Sequence, residues 1–243
     1  VFALAISMVL PASLGSALQT SDDPSGLGGP LGALNEPTTF AFQDVDADTA
    51  EKMNASVPVF SGRLDPARPF DIAAGTEAAQ TRLTALDCLT AAVYFEAASE
   101  TDQGQRAVAQ VVLNRVRHPA YPNSVCGVVF QGSERRTGCQ FSFTCDGAMN
   151  RRPSSGGWSR ARGVAALALA GFVEPSVGLA THYHTKWVVP YWSANLNKIA
   201  VIGAHIFYRW QGNAGTPGAF SGRYAQNEAA PGRLGAKLAR EEL

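Results

Sequence analysis

The sequence is poor in the groups that most often carry chemistry. Histidine and cysteine occur four times each in 243 residues, and neither a C-x-x-C nor an H-E-x-x-H spacing is present, which argues against a zinc centre. Acids are scarce as well. Residues 80–210 hold seven carboxylates, Asp87, Glu96, Glu100, Asp102, Glu134, Asp146 and Glu174, so a reaction needing a carboxyl has few candidates. No internal repeat is present.

Net charge is also missing, but only by cancellation. Residues 1–79 carry three basic against ten acidic residues, and residues 80–243 carry seventeen against ten. An acidic, Pro/Gly-rich leader and a basic module therefore behave as separate pieces, the second suited to a polyanionic partner. Residues 1–21 begin with an uncharged apolar stretch broken by Pro11 and Gly15, which reads as the core of a secretory signal. A membrane span would need about 20 apolar residues. Residues 22–78 read as a mostly disordered linker, 79–210 as the folded domain and 211–243 as a loose tail.

The four cysteines, Cys88, Cys126, Cys139 and Cys145, all lie in the basic module, an even number that fits two disulfides in an oxidising compartment. Three pairings are open. Cys139 with Cys145 closes a short loop and is favoured, leaving Cys88 with Cys126 to tie a helix to a loop. A rival reading pools these thiols with His182, His184 and His205 around a metal.

Periodicity predicts the framework. Ala79, Leu83, Leu86, Leu89 and Val93 recur at threes and fours and predict a helix over 76–98. Thr101 is placed to cap a second helix, with Asp102 in its first turn and Ala107, Val108, Val111, Val112 and Val116 as its buried stripe, up to His118-Pro119. A turn-rich loop region fills 119–157, and a third helix is expected over 159–172. Segments 178–183 and 199–208 have strand composition. The fold class expected is α+β, mainly helical with a small β-sheet.

Among the carboxylates, Glu96 stands apart. It ends the apolar run Ala91-Ala92-Val93-Tyr94-Phe95, where a low-dielectric wall would raise its pKa and keep a proton available for acid catalysis. Taken alone, a helix-terminal Glu is more often one half of a surface ion pair.

At this point a family pattern appears. The runs Ala92-Val93-Tyr94-Phe95-Glu96-Ala97, Gly104 to Val116, Tyr121-Pro122-Asn123 and Val128-Val129-Phe130-Gln131 resemble the SleB type of cell wall hydrolase. Cys139-Gln140-Phe141-Ser142, Thr181-His182-Tyr183-His184 and Ile202 to Tyr208 are similar to its later blocks, so the resemblance covers about residues 86–210. It implies a lysozyme-like or lytic-transglycosylase-like domain that cleaves peptidoglycan glycan strands between N-acetylmuramic acid and N-acetylglucosamine, with no metal and no cofactor. Glu96 matches the family's catalytic glutamate. Gln140, Ser142 and Tyr183 fall in blocks expected near the cleft.

Trp187, Tyr191 and Trp192 add a candidate sugar-stacking platform, and Arg135, Arg136, Arg151 and Arg152 a surface for wall carboxylates. His182 and His184 alternate and would share one face of a strand. A two-carboxylate glycosidase needs a second acid about 5 Å from the first for retention or about 6.5–9.5 Å for inversion. Glu100 is nearest in sequence but reads as a residue of the inter-helix turn. One glutamate suffices if the muramoyl 6-hydroxyl attacks and leaves a 1,6-anhydro product, the favoured scheme. The expected setting is the periplasm or cell envelope, with a monomer, no nucleic acid and transient membrane contact through the N-terminal segment. A non-catalytic wall-binding module and a cysteine or zinc peptidase are the competing classes.

Overall fold

The computed structural model describes residues 41–72, 76–135 and 138–229, with the side chains of 76–78 outside that description. The signal-like segment 1–21 and the first part of the expected linker therefore lie outside the described residues, as does Arg136. Five α-helices are present there: α1 (Ala47–Ser56), α2 (Thr76–Ala97), α3 (Asp102–Arg117), α4 (Val125–Val129) and α5 (Ser155–Leu169). Three strands follow, β1 (His182–Thr185), β2 (Leu196–Ile202) and β3 (His205–Trp210), forming an antiparallel sheet in the order β1-β3-β2. The α+β class expected from the sequence is the one observed.

Helix α3 is the axis of the domain. Thr101 caps it by accepting from the Gly104 amide, and its residues 107–116 are all buried. Helix α2 packs along it through Ala85, Leu89, Ala92 and Val93, whereas Leu83 at its start stays half exposed, so the predicted stripe is buried only over its second half. Helix α5 closes the bundle with Ala161, Val164, Ala165, Ala168 and Leu169. It begins at Ser155, four residues before the predicted start, because Ser154 accepts from the Gly157 amide and acts as the N-cap. Cys88 is bonded to Cys126, which joins α2 to α4, and Cys139 to Cys145.

Polar side chains of α3 tie the bundle to the sheet. Asn114 Nδ2 donates to the carbonyls of Gly178 and Ala180, and Arg115 Nε to that of Thr181 at 2.7 Å. These bonds satisfy carbonyls that enter the interior before strand pairing begins. The strand expected over 178–183 accordingly starts late, at His182. The segment 199–208 is not one strand but most of a hairpin, turning at Gly203-Ala204 with Ile202 opposite His205. Gly203 has φ +58, a conformation that favours glycine.

The two flanks depart from expectation. Residues 41–72, read as disordered, carry α1 and then run along the domain. Asn54 donates to the Lys186 and Val188 carbonyls, buried Lys198 of β2 donates to those of Asn54 and Val57, and Phe70 and Ile72 enter the main core. On the C-terminal side, Phe220 is buried, Tyr224 packs edge-on against Phe70, and the Glu228 carboxylate accepts from the Val125 and Cys126 amides at the start of α4. Periodicity could not reveal either strap. Their anchors are single residues separated by turns, and their backbone bonds are made to distant segments.

Candidate active site

Helix α2 ends one residue past Glu96, so this carboxyl leaves the last helical turn and meets a cleft of ≈ 520 Å³. One wall is made by Gln131, Gly132, Arg135 and the run from Gly138 to Ser142, and another by β1 with Pro190 and Trp192; Arg115, Tyr121 and Trp210 also line it. The disulfide between Cys139 and Cys145 closes the loop that carries Gln140 and Ser142. Phe95 does not enter the cleft wall. It stacks on Phe143 with ring centroids 4.8 Å apart, and Tyr94 meets Trp158 edge-on, so both aromatics brace the helix end behind Glu96.

Burial pushes the Glu96 carboxyl up to about 7, and the nearby negative charge of Asp146 adds to that. A hydrogen bond from Tyr183 and the positive charge of Arg115 act the other way without overcoming it. The Tyr183 hydroxyl donates to Glu96 Oε2 at 3.1 Å, holding one carboxyl oxygen and leaving the other for the cleft. The surrounding histidines are driven towards their neutral forms. Burial and the charge of Arg115 hold His182 well below its usual value, and burial brings His184 down to about 4. Their rings are committed within the fold: His182 is 2.9 Å from Thr181 Oγ1, and His184 Nε2 is 3.0 Å from the Tyr208 hydroxyl.

Glu100 points elsewhere. Its Oε1 accepts from the Ala204 amide at 3.1 Å and lies 3.5 Å from His205 Nδ1, while a Cβ added to Gly203 would fall 1.7 Å from its Oε2. It holds the hairpin turn and does not line the cleft. Glu96 is the one carboxyl among the described cleft residues. Asp87, Glu134 and Glu174 are paired with arginines, and Asp146 accepts from the Ala148 amide.

Of the residues singled out from the sequence, Glu96, Gln140, Ser142, Tyr183 and Trp192 all line one cleft, as do His182, His184 and Arg135. Trp187 does not. Its ring is 47 % exposed and lies beneath Lys186 Nζ, away from the cleft, so the expected three-aromatic platform reduces to Trp192 there. All four cysteines are in disulfides, which removes the thiolates that the metal and cysteine-peptidase readings require. Sequence reasoning missed Phe42, Arg115, Tyr121 and Trp210. Arg115 carried a usable signal, a cation on the apolar stripe at three and seven residues from Val112 and Val108.

Comparison with known proteins fits this geometry. Residues 99–208 match the Cell Wall Hydrolase family. These residues carry a cell wall hydrolase domain. It is 34 % identical over 119 residues to a spore cortex-lytic enzyme of Bacillus subtilis (strain 168), covering 49 % of this chain and 35 % of that one. A spore cortex-lytic enzyme of Halalkalibacterium halodurans is 33 % identical over 122 residues, 50 % of this chain and 34 % of that one. The chain thus spans about a third of the length of the curated relatives it matches. Among solved structures, the catalytic domain of the germination-specific lytic transglycosylase SleB from Bacillus anthracis is 31 % identical, with 52 % of this chain and 94 % of that one covered and a TM-score of 0.43. The catalytic domain of the Bacillus cereus SleB protein is 27 % identical, with 62 % and 100 % covered and a TM-score of 0.43. The family match includes Arg115, Gln140, Ser142, Tyr183 and Trp192, whereas Glu96 lies three residues before it.

Proposed function

We propose that this chain cleaves peptidoglycan glycan strands between N-acetylmuramic acid and N-acetylglucosamine, as a lytic transglycosylase with Glu96 as its acid and base. The observation that carries the reading is a lone carboxyl, pushed up to about 7, lining a large cleft and held by Tyr183. At neutral pH such a group is available in both protonation states, as a residue that gives and then takes a proton must be. Glu96 protonates the glycosidic oxygen as its bond to the muramoyl C1 breaks. The muramoyl 6-hydroxyl then attacks C1 and returns its proton to Glu96, closing a 1,6-anhydro ring without consuming water. The placement of Glu100 at the hairpin turn favours this route over one that needs a second carboxylate in the cleft.

Gln140 and Ser142 supply polar contacts to the sugar from the disulfide-closed loop, and Trp192 a stacking surface. The two disulfides and the basic charge of residues 80–243 support action outside the cytoplasm, in the periplasm or envelope, as does the signal-like composition of residues 1–21. Mass spectrometry of fragments released from purified peptidoglycan tests the reaction. Anhydro-muramoyl ends are expected, while muramoyl reducing ends mean that water is the acceptor and overturn the intramolecular route.

A further inference from the structure

Arg115 is a buried cation with more charge than its visible task requires. It is 4 % exposed, near the C-terminal end of α3, and it lines the cleft beside Glu96. Its guanidinium lies between the rings of Tyr121 and Phe141, 5.4 and 5.3 Å from their centroids, with Nε donating to the Thr181 carbonyl. Nη1 has no hydrogen-bond partner, and among the described residues the side chain forms no ion pair. Its neighbour Asn114 anchors the same backbone segment with a neutral amide. Anchoring therefore does not explain a full charge in a place where an uncompensated one is costly. Two ring faces offset part of that cost, and an anion arriving in the cleft would offset more.

The remainder of the lining points the same way. Arg135 also lines the cleft but is paired with Glu134, whereas Glu96, the one carboxyl among the described lining residues, is held towards its protonated form, and His182, His184 and His205 are all held towards neutrality by burial. A cleft that bound only neutral sugars would have no use for the charge of Arg115. Resting on the reading above, we propose that Arg115 forms an anionic subsite of the cleft, taking a carboxylate borne by the muramoyl residue, either its lactyl group or its peptide stem. This subsite would distinguish muramoyl strands from neutral polymers of N-acetylglucosamine and set the register of the strand over Glu96.

Fluorescence of Trp192 and Trp210, which both line the cleft, reports binding to the full chain. Three probes separate the terms: N-acetylmuramic acid carries the lactyl carboxylate, muramyl dipeptide carries a stem carboxylate with the lactyl group amidated, and tri-N-acetylchitotriose carries none. Arg115→Met should weaken at least one anionic probe tenfold or more and chitotriose less than threefold, and the probe affected identifies the carboxylate. Equal weakening of chitotriose, or no weakening of either anionic probe, overturns the proposal. If Arg115→Met does not fold, the unmodified chain decides. Affinity for an anionic probe must fall between 50 and 500 mM salt while that for chitotriose holds, and equal salt response overturns the proposal. A chain that cleaves peptidoglycan without discriminating these probes loses the subsite alone. One that discriminates them without cleaving keeps the subsite and loses the catalytic reading.

Discussion

Glu96 and Glu100 are four residues apart, yet the end of α2 and the turn after it give them opposite work. At the helix end the carboxyl faces a cleft, accepts one bond from Tyr183 and is pushed towards protonation by burial. In the turn, Glu100 accepts from the Ala204 amide beside His205 and stands where a Gly203 side chain would otherwise be. The comparison teaches that a buried carboxyl becomes chemically available when few donors satisfy it. The same group becomes a structural clamp when a backbone amide engages it.

The largest test of this contrast removes what both sites share. Lys198 of β2 holds α1, and Phe70 and Ile72 sit in the main core, so deleting residues 1–72 should abolish cooperative thermal unfolding seen by circular dichroism. Removing two large core side chains and both carbonyl partners of buried Lys198 costs about 5 kcal/mol or more, comparable with the stability of a whole domain. A truncated chain that melts within about 5 °C of the parent would return residues 41–72 to the status of a linker.

On the cleft side, Glu96→Gln should lower turnover on peptidoglycan at least about a hundredfold, the low end of general-acid contributions. The rate of the parent should fall above pH of about 7 as the acid loses its proton. Glu100→Gln is the opposing arm and should cost less than tenfold, since it acts through the hairpin alone. Equal losses for the two variants, measured by release of soluble fragments, would erase the distinction. The turn side is sharpened by Gly203→Ala, which should destabilise by about 2–3 kcal/mol from the φ +58 conformation and the clash with Glu100. In a Glu100→Ala background the same change should cost only about 1 kcal/mol, the conformational part, and a double-mutant cycle reads the difference.

The smallest effect is on stability and pH. Because the Glu96 pKa is raised on folding, the native chain binds more protons than the unfolded chain between the ordinary carboxyl value and about 7. Its contribution is therefore fully present below that window and is lost as pH rises through about 7. The lowered histidines act with the opposite sign, so the quantity to measure is the difference between Glu96→Gln and the parent. In urea unfolding that difference should favour the variant at pH 8 and shrink towards zero near pH 4. A difference independent of pH would mean that burial does not raise this carboxyl.

Much of this was legible from residue order because the bundle is built from local repeats. The stripes at Leu89 and Val93 and at Val108, Val112 and Val116, the Thr101 cap and the short Cys139–Cys145 loop all act over a few residues. The apolar run before Glu96 marked it as a candidate, and the family resemblance set it above a surface ion pair. The straps were not legible, because Lys198 reaching Asn54 or Glu228 reaching Val125 spans 144 and 103 residues and leaves no period to detect. Trp187 and Trp192 show the same limit at short range. Both are aromatics of one loop, but only chain direction decides which ring faces the cleft.

By itself, then, the sequence determined the three long helices α2, α3 and α5 and the α+β class, since hydrophobic period is a property of neighbouring residues. Only the tertiary structure decided that Glu100 clamps a turn, that Arg115 stands in the cleft with no ion pair among the described residues and that residues 41–72 pack onto the domain. Each of those outcomes depends on what a side chain meets from a distant segment, where burial and the supply of hydrogen-bond donors are set.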